Sequence, residues 1–424
     1  MARSLNPVDA HAIMNLLVKE ATGQNAQIQA VDASSFVSAG EAVMQTGTEN
    51  VMNALSRVLG RTFMAVRPYN AKLRTINAIN TDMFTDRMRK ISFYSKDAQA
   101  SGWFNTDLYT QHASGLDNGV NNISGTTVAM NGLGTMWQQN QGVPLELNFH
   151  GQDVWDDSIT IYENQLKIAF RGEAEFSQFM AGIMTEKGND IESQKEAFNR
   201  MTILSMIAGV IDLNQGGSVV NLTSGFNTKF GTNYTSAQLR TTYLKEFLAY
   251  FVSVVKTLSS RMSMRTKNYH WSPTKTIGGT SYSLLRHTPR DRQKALIYQP
   301  LLNDAEAQVF SQIFNPQFLD VDQFEGVDYW QNINDPSAID VYPAIPNLAN
   351  PSAGQIKGNR VQYDYVVGCI YDTDAMMVDY QMDSAYSTPV EARKGYRNMW
   401  WHFAKNAITD FTENFIIFVM GNDA

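Results

Sequence analysis

The sequence predicts an α+β protein, and three stretches of the chain carry this prediction. Apolar residues recur at helical spacing over residues 173–213, which indicates one helix of roughly 60 Å at a rise of 1.5 Å per residue. Tyr363 to Tyr371 and Phe415 to Met420 are short apolar runs typical of buried strands. A fold that contains all three stretches mixes a long helix with strands.

The N-terminal part of the chain predicts an arm and a projecting loop. Residues 1–60 indicate a helical, mildly polar arm with too few large apolar residues to bury a core of its own. Residues 86–171 indicate strands and loops, with Gly, Asn, Ser, Gln and Thr crowded between positions 97 and 142. Such a length without periodicity is uncommon inside a compact domain, which favours a loop that contacts another subunit. The candidate contacts in this loop are Trp103, Phe104 and Trp137.

Two segments with alternating apolar residues follow the loop. They are Pro144 to His150 and Ser158 to Gln165, separated by a polar link. Alternation with a period of two is typical of half-buried strands, so we expect these segments to pair as a long hairpin.

The helical region is predicted to contain two helices. The first covers residues 173–213, where Gly182 and Gly188 each weaken the helix by about 1 kcal/mol relative to Ala. We therefore expect a kink or a break near Gly188. The second helix is predicted from Ser236 to Leu258, with a single apolar face.

The C-terminal region predicts strands around one aromatic helix. The strand that ends at Tyr371 is followed by a turn at Asp372 to Ala375 and by a partner strand, Met376 to Met382. An aromatic helix is predicted around residues 400–403 (Trp-Trp-His-Phe), before the final strand.

Composition indicates a globular chain with extensive partner surfaces. The 424 residues suffice for one large domain or for two to three subdomains. The charged fraction is low at 18%, and the 18 Tyr, 22 Phe and 7 Trp are of types enriched in interface cores. The alternative is a well-filled core in a monomer. The net charge of −7 argues against nucleic-acid binding by bulk attraction, but not against a protein that encloses nucleic acid.

Cysteine usage and hydropathy bear on where the protein is made. The single cysteine, Cys369, excludes an intrachain disulfide and a cysteine-based zinc cluster. The N-terminus lacks the apolar run of a signal peptide, and no apolar run reaches the roughly 18 residues that a membrane span needs. We therefore expect assembly in a reducing cytoplasm without a membrane partner.

Charge is segregated into two adjacent blocks. Eight Lys or Arg and one acid lie between positions 261 and 294, whereas eight acids and no Lys or Arg lie between positions 295 and 356. We expect the blocks to pair, within one subunit or between subunits, because complementary patches fix orientation and register. The alternative is nucleic-acid binding by the basic block and its interleaved aromatic residues. The candidate contact residues in the blocks are Arg286, Arg290, Arg292, Lys294, Asp320, Asp322 and Glu325.

No catalytic motif stands out in the sequence. The six histidines are scattered, and no nucleophile elbow, P-loop or dinucleotide fingerprint is present. Asp372 and Asp374 could hold a divalent metal in a carbohydrate-active or metal-dependent enzyme, but aspartates in a tight turn usually bond the local backbone. We predict no catalytic residue, no metal ligand and no cofactor.

The order of the predicted elements, together with two C-terminal motifs, resembles a known family. The motifs are Thr388 to Arg393 (TPVEAR) and Asp410 to Asn414 (DFTEN). The chain resembles the major capsid proteins of tailed bacteriophages, which have the HK97-like capsid fold. The resemblance implies an N-terminal arm, an extended E-loop, a long spine helix, and peripheral and axial domains. The implied segments are 1–60 (arm), 61–171 (peripheral-domain strand and E-loop), 172–264 (peripheral domain with the spine helix), 265–390 (axial domain) and 391–424 (C-terminal helix and return strand).

The resemblance also implies a function without chemistry. Such subunits self-assemble as pentamers and hexamers into an icosahedral shell that encloses the double-stranded DNA genome of a phage. The implied partners are further copies of the chain, a scaffolding protein, a portal and a decoration protein, and the implied location is the virion capsid. One alternative is an encapsulin-like shell, and an alternative from another class is the enzyme that would use Asp372 and Asp374.

Overall fold

The computed structural model of the chain describes residues 14–20, 39–41, 43, 73, 76–79, 87–95, 142–150, 153–171, 173–277, 280–308, 323–347 and 354–421. The helices labelled here are α1 (Glu163–Ala169), α2 (Glu173–Leu213), α3 (Leu222–Phe230), α4 (Ser236–Thr241), α5 (Leu244–Met262) and α6 (Gln299–Gln308). The strands are β1 (Asn77–Ile79), β2 (Arg87–Phe93), β3 (Pro144–His150), β4 (Asp153–Tyr162), β5 (Val219–Asn221), β6 (Thr274–Ile277), β7 (Thr280–Ser283), β8 (Gln293–Tyr298), β9 (Gln323–Val327), β10 (Ile339–Val341), β11 (Ala344–Pro346), β12 (Gln355–Lys357), β13 (Val361–Tyr363), β14 (Tyr365–Asp372), β15 (Met376–Ser387), β16 (Tyr396–Thr409) and β17 (Phe415–Met420).

Helix α2 has the predicted bounds, residues 173–213. It continues through Gly182 and Gly188 without interruption, so the helix has no break there, and the alternative of a kink stays a prediction. The reason is packing on both sides of the glycines: Phe176 is fully buried in the first half, and Met206 in the second. Burying side chains of this size stabilises by roughly 1.5–3 kcal/mol each, which exceeds the cost of a glycine.

The second predicted helix is two helices, α4 and α5. Helix α4 begins with a capping box, in which Thr235 accepts from the backbone N–H of Gln238 while the Gln238 side chain accepts from the backbone N–H of Thr235. It ends before Tyr243, whose backbone leaves the helical region and whose ring stacks on Tyr234 with centroids 4.0 Å apart. Helix α5 then continues to Met262, past the predicted end.

A five-stranded sheet of order β5-β17-β14-β8-β9 forms the centre of the core. Every residue of β8, β14 and β17 is buried, and Phe251 of α5 meets Phe418 edge to face at 5.4 Å. At Gly368 the neighbouring strand approaches so closely that a Cβ atom would lie 2.4 Å from the backbone oxygen of Leu296. The strands of this sheet come from three of the predicted segments, 172–264, 265–390 and 391–424. The predicted domain boundaries remain predictions.

A four-stranded sheet of order β1-β15-β16-β4 lies beside the first. Its strand β16 contains residues 400–403, so the prediction of an aromatic helix there is wrong. Along β16 buried Arg397, Met399 and Trp401 alternate with half-buried residues, which is the period of a strand. Strands β15 and β4 supply the hydrogen-bond partners on its two sides.

Strands β2 and β3 form a two-stranded antiparallel sheet, called the ribbon below. The predicted hairpin between β3 and β4 is therefore wrong, because β3 pairs with β2 and β4 pairs with β16. The alternation in β3 is real: Leu145, Leu147 and Phe149 share the more buried face. The segment between the two strands of the ribbon, with Trp103, Phe104 and Trp137, lies outside the described residues.

The two short connections between the large sheets meet at one place. Strand β14 passes to β15 through residues 373–375, and β16 passes to β17 through residues 410–414. The two connections are joined by backbone hydrogen bonds, from Asp410 N to Ala375 O at 2.9 Å and from Asp372 N to Asn414 O at 2.9 Å. This junction holds the polar groups described next.

Candidate assembly site: a buried anchor cluster and an exposed ribbon

The turn that joins β16 to β17 is buried although most of it is polar. Asp410 is 1% exposed and Glu413 7% exposed. Asp410 accepts hydrogen bonds from the backbone N–H of Thr412 at 2.9 Å and from its hydroxyl at 2.6 Å, so its side chain fixes the turn. Phe411 packs against α2, where a Cβ atom added to Gly209 would lie 2.5 Å from its ring.

Two cations from other parts of the chain complete this site. Lys90 of the ribbon donates to both Asp410 and Glu413. Arg286 donates to the Ser92 hydroxyl at 2.8 Å and to the backbone oxygen of Thr412 at 3.1 Å, and it lies 3.3 Å from a Glu413 oxygen. We call Lys90, Arg286, Asp410, Thr412 and Glu413 the anchor cluster, because they attach the ribbon to the junction of the sheets.

The charges of the anchor cluster balance, with two cations against two carboxylates. Burial raises the pKa of Glu413, and the nearby cations offset only part of this effect. Burial lowers the pKa of Lys90, but the carboxylates of Asp410 and Glu413 outweigh it, so the net pKa is raised. The lysine is therefore held in its charged form by the two acids.

A second set of polar groups extends the anchor cluster toward β14. Asn414 donates to the Thr288 hydroxyl at 3.1 Å, and Thr288 donates to Asp372 at 2.8 Å. His270 contacts Asn414 through Nδ1 at 3.1 Å and the backbone oxygen of Leu284 through Nε2 at 3.1 Å. Burial lowers the pKa of His270, despite the oxygens that face its ring nitrogens. These groups hold the loop before β8 against the junction.

The aspartates with candidate metal chemistry hold a turn. Asp372 accepts from the backbone N–H of Asp374 at 3.0 Å through its side chain and from Ala375 N at 2.9 Å through its backbone oxygen. Arg292 pairs with Asp374 and lies 3.6 Å from Asp372. Within the part of the chain that the structure describes, no group of three or more His, Cys, Asp or Glu is arranged to hold a metal ion. Nor is any helix there long and apolar enough to cross a membrane.

The family is identified by the region that contains nearly all of both large sheets. A family model described as phi29-like phage major capsid protein matches residues 140–419, which is more than half of the chain. The chain belongs to this family. Shell formation is therefore the function of this capsid protein, and the predicted class of protein is confirmed.

Solved structures similar to this capsid protein come from phages. The capsid structure of Staphylococcus phage Andhra has a TM-score of 0.49 and 11% identity, over 82% of this chain and 84% of that one. The structure of head fiber and inner core protein gp22 of native bacteriophage P68 has a TM-score of 0.44 and 12% identity, over 82% and 83%. The capsid structure of cyanophage P-SCSP1u has a TM-score of 0.39 and 11% identity, over 82% and 87%. None of the curated proteins matches the chain by sequence.

The family decides between the alternatives. The α+β architecture agrees with the predicted capsid fold. The enzyme that would use Asp372 and Asp374 is excluded, because the family consists of structural capsid proteins and these side chains hold a turn. The match is to a phage capsid family and does not favour the encapsulin-like alternative.

The predicted contact residues of the two charge blocks fall into four groups. Arg286 belongs to the anchor cluster, so within the chain it meets the C-terminal turn and not the acidic block. Lys294 is 7% exposed, and burial lowers its pKa although Asp374 and Glu325 act in the opposite direction. Arg290 and Arg292 are exposed. Asp320 and Asp322 lie outside the described residues, and the role of all these residues between subunits remains a prediction.

Sequence reasoning missed the anchor cluster. The motif Asp410 to Asn414 was recognised only as a family signature, and Lys90 was not singled out. The available signal was a run of polar residues directly before the apolar strand β17, where buried polar groups require partners. Nothing in the local sequence shows that the partner is Lys90, because the two are separated by 320 positions.

The ribbon presents its other face to solvent. On β2 Lys90 and Ser92 face the anchor cluster, whereas Ile91 is 53% and Phe93 64% exposed. Their cross-strand partners, Glu146 and Pro144, are exposed as well. An isolated two-stranded hairpin is marginally stable in water, and neighbouring exposed apolar side chains mark interaction surfaces.

Proposed function

We propose that this capsid protein assembles as pentamers and hexamers into an icosahedral shell that encloses a double-stranded DNA genome. The observation that carries the proposal is the family match over residues 140–419. Further copies of the chain are the main partners, and each contact can be modest because the contacts are repeated many times in a closed shell.

The ribbon supports this proposal with a surface suited to a neighbouring subunit. The anchor cluster holds the inner face of the ribbon on the body of its own chain, which leaves Ile91 and Phe93 directed outward. Covering these two side chains with a neighbour would remove apolar surface from water, which is favourable at about 25 cal/mol per Å². We expect the ribbon of each subunit to lie on the next one.

We further expect a scaffolding protein and a portal as partners, with a decoration protein on the mature shell, and assembly in the cytoplasm of the host. These expectations follow from the family resemblance. Coexpression of the capsid protein with candidate scaffolding proteins tests the first of them through the yield and uniformity of shells.

The assembly surface is tested by changing one exposed position of the ribbon in two ways. Ile91→Asp should prevent or strongly reduce shell formation, because a charge replaces apolar surface at the contact, whereas Ile91→Val should assemble like the wild type. Shells are counted by sedimentation and electron microscopy, and thermal unfolding of free subunits controls for folding. Normal shells from a folded Ile91→Asp protein would contradict the proposed role of the ribbon.

A further inference from the structure

The five-stranded sheet has two ends that are distinguished by strand β8. The first end lies where β8 begins, beside the end of α5: Thr288 N donates to Met262 O at 2.8 Å, and the Gln293 side chain donates to Ser259 O at 3.0 Å. The second end lies where β8 finishes at Tyr298, whose ring meets Tyr365 edge to face at 5.6 Å. At about 3.3 Å per residue, the strand separates the two ends by roughly 20 Å.

The first end is basic. Arg261, Arg265 and Lys267 are exposed within one short segment after the buried part of α5. This segment is fixed to the loop before β8 by two backbone hydrogen bonds of 2.9 Å between Thr266 and Arg286. Three other cations nearby are matched by acids: Arg292 pairs with the Asp372–Asp374 turn, Arg286 belongs to the anchor cluster, and Arg290 is followed directly by exposed Asp291. The three exposed cations therefore add positive charge to an otherwise balanced region.

The second end is acidic. Asp304 lies in α6, which begins directly after β8. Asp335 precedes Pro336, whose backbone oxygen accepts a hydrogen bond from Trp330 N at 2.9 Å, three residues after the end of β9. Burial raises the pKa of Tyr298, and both carboxylates act in the same direction. Asp328 directly follows Val327, the strand partner of Tyr298. All three acids are exposed. The structure places two cations at this end. Arg240 is half-buried and lies over the ring of Tyr365 at 4.3 Å, and Arg200 lies over the ring of Tyr329 at 3.7 Å and pairs with Glu196 at 3.1 Å.

We propose that neighbouring subunits pack head to tail, with the basic end of one copy (Arg261, Arg265 and Lys267) against the acidic end of the next (Asp304, Asp328 and Asp335). A contact between two different surfaces of identical chains generates a ring when the rotation closes, which is the geometry that pentamers and hexamers need. Opposite charges would select this orientation and disfavour contacts between two like ends. The inference rests on the proposed function, since it requires ring-shaped assemblies of the chain.

A charge exchange tests the proposal. One variant carries Arg261→Glu and Lys267→Glu, a second carries Asp304→Lys and Asp335→Lys, and a third combines all four substitutions. Each of the first two variants places like charges at every contact. Shell yield should therefore fall about tenfold or more at low salt, where the repulsion is screened least. A tenfold loss corresponds to about 1.4 kcal/mol of association free energy. The third restores opposite charges, and its yield should return to within about twofold of the wild type.

The controls separate this inference from the proposed function. Lys394→Glu reverses a charge on an exposed turn of the four-stranded sheet and should leave the yield unchanged, and thermal unfolding reports whether each variant folds.

The inference is overturned if either two-residue variant assembles normally, or if the combined variant folds but its shell yield is not restored. It is also overturned if the Glu variant forms normal shells that retain less DNA, because the basic end would then contact nucleic acid. Failure of the wild type to form any shell would instead contradict the proposed function.

Discussion

Replacing Lys90 by Met should detach the ribbon from the body of the capsid protein. The side chain of Lys90 is 22% exposed, and those of its partners Asp410 and Glu413 are 1% and 9% exposed. Methionine keeps the apolar length of lysine but removes the charge. Asp410 would then be left buried without its cation, while Glu413 would keep Arg286.

The expected loss is about 3 kcal/mol in the free energy that holds the ribbon. Removing one partner of a buried ion pair costs roughly 3–5 kcal/mol. The lower end applies here because the Lys90 side chain is 22% exposed and Asp410 keeps its two hydrogen bonds from Thr412. At a factor of ten per 1.4 kcal/mol, the open state of the ribbon should become roughly a hundredfold more populated.

Hydrogen exchange of the amides in β2 and β3 measures this opening directly, and urea unfolding measures the stability of the whole subunit. Arg89→Met is the matched control, because Arg89 lies on the same strand and its ion pair with Glu146 is exposed, with side chains 59% and 44% accessible. Such a surface pair contributes under about 1 kcal/mol. Adding Glu413→Gln to Lys90→Met should recover part of the loss. Equal exchange rates in the Lys90→Met and Arg89→Met proteins would refute the role of the anchor cluster.

Three further predictions concern packing and pH. Gly209→Ala should destabilise the subunit by about 1–3 kcal/mol, because the new methyl group would meet the ring of Phe411. Gly182→Ala should stabilise it by up to about 1 kcal/mol, because no atom lies within 4 Å of the new methyl group. Urea unfolding of both variants checks the contrast. Burial raises the pKa of Glu413, so its negative charge destabilises the folded subunit at pH values above the raised pKa. This destabilisation should disappear as the pH falls toward the ordinary pKa of 4.5. Glu413→Gln should remove the pH dependence. The raised pKa of Lys90 gives stability that is present below pH 10.5 and lost as the pH rises through the raised value, which alkaline unfolding of wild type and Lys90→Met should show.

Local periodicity was sufficient to predict the elements whose burial repeats along the sequence. Helix α2 has the predicted bounds because apolar residues recur at helical spacing through its first half, and residues 202–210 are buried nearly all round. The strands β14 and β17 are continuous apolar runs, and both are fully buried at the centre of one sheet. In these cases the local pattern and the tertiary packing agree, so the sequence alone was informative.

Elements decided by distant partners were predicted wrongly. Residues 400–403 are all aromatic, and a short run of this kind fits a helix or a strand equally well. Strand pairing with β4 and β15 selects the strand, and β4 is far away in the chain. The same reason explains the wrong hairpin of β3 and the unpredicted anchor cluster, whose cations come from β2 and from the loop before β8.

Electron microscopy of the purified capsid protein, alone and with a scaffolding protein, shows whether the chain builds a shell. We expect closed shells of uniform diameter, built from rings of five and six subunits. A capsid protein that is folded by circular dichroism but remains monomeric under all assembly conditions would contradict the proposed shell.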